Sequence, residues 1–380
     1  MRAGIDGYPL SEPRTGVGHY TLELARALAL ISPPDEFELV SPAPFDPSAL
    51  ADIERANLPN LITTNPKASS IRGHWWSVGL PLYIRRARFD LFHGTNFDVP
   101  LGNPLWQKRR SVVTIHDLSA LVHPEKHRSR LVRRARLRLP LVVRVAGKII
   151  TPTESVKREV CDRFHVKPEK VTAIHSAARS SFQPMTSAQT AEIRRRLGVE
   201  DNFLLFVGTL EPRKNLLTLL KAFEQMIANT ALRPQLVIAG GEGWLMDDMF
   251  AFIRKSGVSE RLRFTGYLSD EDLRALYSSC RVFVYPSVYE GFGLPPLEAM
   301  ACGAPVIAGR IPSLQETLGS AARLVEPLNV EALGREIVGL LEDDNQRQAL
   351  GAAGPGHAGK FSWEKSAQLT LGVYQEVLKI

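Results

Sequence analysis

Cysteine is scarce. The 380 residues hold three, Cys161, Cys280 and Cys302, far apart along the chain. They form neither a zinc-ligand spacing nor a disulfide framework, so a reducing compartment is expected. Long apolar runs are missing too. A membrane-spanning helix needs about 18 apolar residues with few or no charges. The best stretch, Leu137–Ile150, contains Arg138, Arg144 and Lys148. Met1–Asp6 reads as a strand before a Gly/Pro turn, so no leader peptide is expected. Short-period repeats and low-complexity tracts are absent as well.

The composition that remains is that of a globular protein, 44% hydrophobic and 23% charged. Chains dominated by disorder have fewer apolar residues and a larger charge imbalance. Single cores stop growing at roughly 250–300 residues, which implies about two domains. The formal net charge of +7 favours anionic partners such as nucleotides or phospholipid. No aromatic-basic module of a nucleic-acid binder is visible, and nucleic acid is not an expected partner.

Short β-branched runs alternate with amphipathic stretches along the whole chain, the βαβ rhythm of parallel sheets covered by helices. First-half strands are expected at Arg2–Ile5, Phe37–Val40, Leu91–His93, Val112–His116, Lys148–Thr151 and Val171–Ile174. Second-half strands are expected at Phe203–Val207, Gln235–Ala239, Arg261–Thr265, Val282–Tyr285, Pro305–Ala308 and Ala322–Val325. The rhythm loosens over Ser176–Gln189. The reading is α/β, with two Rossmann-like domains at residues 1–184 and 185–362. A last amphipathic helix, within 363–380, is expected to cross back to the first domain. Parallel sheets bind ligands at the carboxyl ends of their strands, which makes the residues just after each strand the candidates.

The segment Val284–Gly303 places a glycine loop between a strand and a helix start near Leu294. Glycines admit close approach of a ligand, and a helix N-terminus favours phosphate. Glu290 and Glu298 would repel a phosphate but suit sugar hydroxyls, which donate to carboxylates. Phe206–Asn215 repeats the strand-loop-helix pattern and presents Arg213 and Lys214 at a helix start. Cations are disfavoured there unless an anion is bound. Gly16 and Gly18 lie between the first strand and first helix, without a full dinucleotide fingerprint. His116 and His93 each close a strand and are expected to line one cleft; His19 and His175 rank lower. Asp270-Glu-Asp272 reads as a helix N-terminus capped by Ser269 rather than a metal site. Arg128–Arg138 carries six arginines interleaved with aliphatic residues, a cationic amphipathic face.

Glu290-x7-Glu298 with its Gly-Phe-Gly-Leu-Pro loop, Gly-Thr-Leu-Glu-Pro-Arg-Lys-Asn215, and the His116-Asp117 pair resemble the retaining GT-B glycosyltransferases of family four. The resemblance covers essentially the whole chain and implies two Rossmann-like domains facing across a cleft. It implies that Arg213 and Lys214 hold a diphosphate and that Glu298 accepts from ribose hydroxyls. Glu290 and the backbone N–H groups of Phe292, Gly293 and Leu294 would hold donor sugar and phosphate. His116 would approach the sugar, Gly16 and Gly18 would form a loop over the phosphates, and Gly266, Tyr267 and Leu268 would meet the base. Many relatives space the Arg and Lys by several residues, whereas here they are adjacent.

The expected activity is retaining, metal-independent transfer of a hexose from a nucleotide diphosphate sugar, GDP-mannose favoured, to a glycan or lipid-linked hydroxyl. No further cofactor is expected. UDP-glucose, UDP-N-acetylglucosamine and deoxysugar nucleotides remain alternatives, as do two other activities: a nucleotide-sugar epimerase and a non-enzymatic basic lipid-binding protein. The expected location is cytoplasmic, peripheral at the inner membrane face if Arg128–Arg138 docks on anionic lipid.

Overall fold

A computed structural model describes residues 1–66, 75–100 and 110–379. The apolar runs form two separate parallel sheets. The first contains β1 (Arg2–Asp6), β2 (Glu36–Val40), β3 (Leu61–Thr64), β4 (Leu91–Gly94), β5 (Ser111–Thr114), β6 (Lys148–Thr151) and β7 (Val171–Ala173), in the order β3-β2-β1-β4-β5-β6-β7. The second contains β8 (Phe203–Val207), β9 (Gln235–Ala239), β10 (Leu262–Gly266), β11 (Val282–Tyr285), β12 (Val306–Gly309) and β13 (Arg323–Val325), in the order β10-β9-β8-β11-β12-β13. In each sheet the order reverses at one point, between β1 and β4 and between β8 and β11.

Alternation explains the layering of the second sheet. Phe203, Leu205, Val237, Phe283 and Tyr285 belong to one apolar cluster, whereas Leu204, Phe206, Leu236, Val282 and Val284 belong to another. Successive strand side chains point to opposite faces, so these runs must be covered by helices on both sides. The strand Leu61–Thr64 was missed because it is short, half polar and at the sheet edge.

The chain divides into two compact units: Met1–Leu121, Val132–Ser176 and Ser362–Ile380 form the first, Val122–Leu131 and Ala177–Phe361 the second. The division at Ser176 and Ala177 precedes the 184/185 boundary read from the sequence. The Ala- and Ser-rich stretch that suggested a linker buries Ala177 and Phe182, and the Phe182 ring meets Tyr277 at 5.9 Å. The helix Ser187–Leu197 was also missed, although its capping box of Thr186 and Gln189 and its left-handed Gly198 are local signals. Val122–Leu131 joins the second unit partly through Trp244, whose indole Nε1 donates to the Lys126 carbonyl at 2.9 Å.

Two helices matter to the first unit. The helix Gly16–Ile31 takes in Gly16 and Gly18, which were expected to precede it. The helix Trp363–Lys379 buries Ala367, Val373, Tyr374 and Val377 in the same apolar cluster as Leu22, Leu24 and Leu28.

Candidate active site

The loops leaving β8 and β11 flank the reversal point of the second sheet. Pro212 begins a short turn that ends at Asn215, whose φ of +58° is tolerated by asparagine. The Asn215 amide Nδ2 donates to the carbonyls of Pro286 at 2.9 Å and Pro327 at 2.6 Å, fixing the first loop to its neighbours. Held this way, Lys214 donates from Nζ to Glu290 Oε1 and to the Tyr285 hydroxyl, both at 2.7 Å. Arg213 donates from Nη1 to Glu290 Oε2 at 2.9 Å and from Nη2 to Glu211 Oε1 at 2.6 Å. The Tyr285 hydroxyl and Ser287 Oγ also donate to Glu290 Oε1, at 2.9 and 2.7 Å.

Two cations thus meet two carboxylates, with all four side chains largely buried. Burial alone would raise the Glu290 carboxyl. Arg213 and Lys214 override it and hold the group down at about 2. Burial, with Arg213 adjacent, lowers the Lys214 ammonium from its ordinary value. An open cavity of about 870 Å³ adjoins the network at Val288 and is lined also by His123, Gln225, Arg310 and Glu326.

Gly293 opens the helix Leu294–Ala301 with φ +92°. A Cβ there would lie 2.3 Å from Leu314 Cδ2. Pro295 and Pro296 in the first turn carry no N–H. The first turn therefore offers the main-chain N–H of Leu294, preceded by that of Gly293. On the same helix Glu298 is 4% exposed, and its Oε1 accepts from Arg179 Nε at 2.8 Å. Arg179 Nη1 donates to Asp270 Oδ1 at 2.5 Å, and the guanidinium lies 4.1 Å from the Phe182 ring centre.

Ser269 caps its helix as expected, its Oγ accepting from the Asp272 N–H at 3.1 Å. Asp270 pairs with Arg179 and Asp272 with Arg196. Gly266 ends the edge strand β10 at φ +69°, with open space where a Cβ would stand; Tyr267 is 60% exposed and Leu268 partly buried.

In the first unit, His116 follows β5 and is half-buried. Its Nε2 lies 2.7 Å from the Thr95 carbonyl oxygen, which can only accept. Nε2 therefore carries the proton, and Nδ1 keeps the lone pair. Burial lowers the imidazole's pKa, which favours the neutral form. His93 is different. It is wholly buried, with Nδ1 2.8 Å from the Tyr374 hydroxyl and Nε2 2.8 Å from Thr114 Oγ1. Burial, with a smaller contribution from His116, pushes its pKa down to about 3. The expectation that both histidines line a cleft is thus corrected for His93, which is part of the packed interior.

Residues 189–357 match the family described as glycosyl transferases group 1, and residues 14–178 match glycosyltransferase family 4. The O-antigen chain mannosyltransferase B of Escherichia coli is 31% identical over 382 residues, covering 97% of each chain. The chain belongs to the group 1 glycosyltransferases. The O-antigen chain mannosyltransferase RfbU of Salmonella typhimurium is 25% identical over 84% of this glycosyltransferase and 85% of its own length. Among solved structures, Anabaena HepE in complex with UDP-glucose superposes with a TM-score of 0.77 at 18% identity over 99% of both chains. WaaG, a glycosyltransferase involved in lipopolysaccharide biosynthesis, gives 0.74 at 16% identity over 98% and 99%. Both likenesses establish the GT-B fold.

The sequence singled out Arg213, Lys214, Glu290 and Glu298 in this glycosyltransferase, and the structure brings the first three into one network. Glu298 stands in a second network with Arg179. Gly16 and Gly18 depart from expectation. They form the first turn of the helix Gly16–Ile31 rather than a loop, because Gly18 packs tightly on the preceding turn: a Cβ there would stand 2.9 Å from the Pro9 carbonyl oxygen. Glu211, Tyr285 and Ser287 were missed, although each is within five residues of a residue that was chosen. Arg179 was missed as well, and no local pattern marked it.

Proposed function

We propose that the glycosyltransferase moves mannose, with retention of configuration and without a metal ion, from GDP-mannose to a hydroxyl of a glycan or lipid-linked acceptor. The observation that carries this reading is the paired Arg213 and Lys214 at the reversal point of the second sheet, held by Glu290 and Glu211. As the glycosidic bond breaks, negative charge grows on the departing diphosphate. Preorganised cations stabilise that charge most in the transition state, which is the task a divalent ion would otherwise perform. The names of the relatives, O-antigen chain mannosyltransferases, support mannose.

Glu290 is a poor candidate for a covalent nucleophile. Its carboxylate accepts from Lys214, Arg213, Tyr285 and Ser287, and a carboxylate has about four acceptor positions. The reading is therefore a front-face transfer. The bond from the anomeric carbon to the leaving phosphate breaks, the acceptor oxygen bonds to that carbon on the same face, and the hydroxyl proton passes to the phosphate. Glu290 orients the cations, Glu298 accepts from the ribose hydroxyls, and the Gly266–Leu268 backbone meets the base. His116 serves transfer rather than nucleotide binding.

The helix Ser129–Val145 supports a membrane-facing acceptor. Leu131, Leu137 and Leu141 are exposed on it beside Arg130, Arg133 and Arg136. On this reading the enzyme works at the cytoplasmic membrane face.

A thermal-shift panel of GDP-mannose, UDP-glucose and UDP-N-acetylglucosamine tests the donor. At about 100 times its dissociation constant the true donor stabilises by about 2.7 kcal/mol. A larger shift with a UDP sugar overturns GDP-mannose. Product NMR reads the anomeric configuration, and inversion overturns the front-face scheme. Glu298→Ala should weaken donor binding by about 1.5–3 kcal/mol, the worth of a charged hydrogen bond; an unchanged dissociation constant removes Glu298 from the ribose.

A further inference from the structure

Arg179 stands out among the buried charges that the proposed transfer does not use. It is 7% exposed, and its guanidinium joins two carboxylates that neither neighbour it in sequence nor share an element. Glu298 comes from the helix after β11. Asp270 comes from the first turn of the helix after β10. The Phe182 ring, three residues on, lies 4.1 Å from the guanidinium carbon. A guanidinium gripped by a ring and two carboxylates has little rotational freedom, and its planar fork fixes the direction of each hydrogen bond.

We propose that Arg179 is a positioning residue for nucleotide binding: through Nε on Glu298 Oε1 it orients the Glu298 carboxylate and keeps it ionised to receive the vicinal hydroxyls of a ribose. The proposal rests on Glu298 being the ribose acceptor. The contact to Glu298 engages Oε1 from Nε, one of about four acceptor positions on a carboxylate, which leaves acceptor capacity for a diol. A protonated Glu298 would lose this capacity, since one oxygen would then donate.

Charge gives the second half of the argument. Burial holds the Glu298 carboxyl above its ordinary range, against the opposing pull of Arg179. Burial also works against the charge on Arg179, but Glu298 and Asp270 outweigh it and raise the guanidinium further. Removing Arg179 would leave a buried carboxylate without its counter-ion, and such a group takes up a proton. Asp270 steadies the far end of the guanidinium from a partly exposed position, 42% by its side chain.

The experiment compares GDP and UDP with their 2′,3′-dideoxy forms by titration calorimetry on the full chain. The tighter of the two bases is carried forward. Arg179→Gln should weaken the ribonucleotide at least tenfold and the dideoxy form no more than twofold. Asp270→Asn should show the same selectivity with a smaller loss, and Arg179→Lys should recover part of the ribonucleotide affinity by restoring the charge. Equal weakening of both forms, or no weakening of either, overturns the proposal. If Arg179→Gln does not fold, Arg179→Lys and Asp270→Asn decide it on the same criterion. Glu298→Gln separates the two ideas. If its loss is not selective for the ribonucleotide, the ribose reading itself fails. If Glu298→Gln is selective and the Arg179 variants are not, the positioning role alone fails.

Discussion

His93 and His116 close neighbouring strands of one sheet, yet one is a packed interior group and the other a half-buried ring with a free lone pair on Nδ1. What separates them is Tyr374, 281 residues along the chain from His93. The depressed pKa of His93 has a definite sign. An imidazole ordinarily titrates near 6.5, but in the fold it does so at about 3. Below pH 6.5 the unfolded chain takes up a proton that the native state refuses, so stability falls as the pH drops from 6.5 towards 3. One pKa unit is about 1.4 kcal/mol, so the loss across this window amounts to several kcal/mol. Urea midpoints between pH 7 and pH 4 should fall more steeply for the native protein than for His93→Gln. Parallel curves would assign the acid sensitivity to other groups. The same distance in sequence explains the other surprise at this scale. Arg179 meets its carboxylates 91 and 119 residues away, whereas Arg213, Lys214, Glu290 and Glu298 announce themselves within two short strand-loop-helix segments.

At the scale of elements, the starts of helices carry the consequences. Gly293→Ala would force a side chain into left-handed backbone, at about 1–2 kcal/mol. It would also press a methyl group to within 2.3 Å of buried Leu314, and overpacking adds about 1–3 kcal/mol. The thermal transition of the second unit should fall accordingly, and an unchanged midpoint would mean that the loop relaxes freely. The basic helix makes a different prediction. Arg134 and Arg138 are bound to Asp98, so Arg130, Arg133 and Arg136 are the better probes of lipid. Each basic residue near an anionic surface contributes about 1 kcal/mol, and the attraction decays over about 8 Å at physiological salt. Co-sedimentation with phosphatidylserine vesicles should therefore drop by about two orders of magnitude when all three become Gln. Neutral vesicles should bind neither protein, and equal partition of both would return the helix to solvent. Strand positions were legible where apolar runs were strong, as in Phe203–Val207, but not every helix was. The helices Pro47–Ala56 and Asp344–Ala358 were not: the first is only ten residues long, the second is Ala- and Gly-rich with little apolar periodicity, and their start signals are the caps Asp46 and Asp343.

For the whole molecule, the last helix is structurally part of the beginning. Trp363 meets Tyr20 ring to ring at 5.9 Å, and Tyr374 bonds to His93. Ending the chain at Phe361 should lower the thermal transition of the first unit and leave that of the second within a degree or two, read by calorimetry with and without nucleotide. Loss of both transitions together would show that the units unfold as one. This connectivity also bears on synthesis. Domains generally fold in the order in which they leave the ribosome, at roughly 5–20 residues per second. Here the second unit is almost entirely one continuous stretch, whereas the first waits for its final 19 residues, Ser362–Ile380. During translation of Ala177–Phe361, on the order of ten to forty seconds at those rates, the nascent first unit lacks the cover for Leu22, Leu24 and Leu28. That interval is a window for chaperone capture, and the later-made unit is the first able to finish folding.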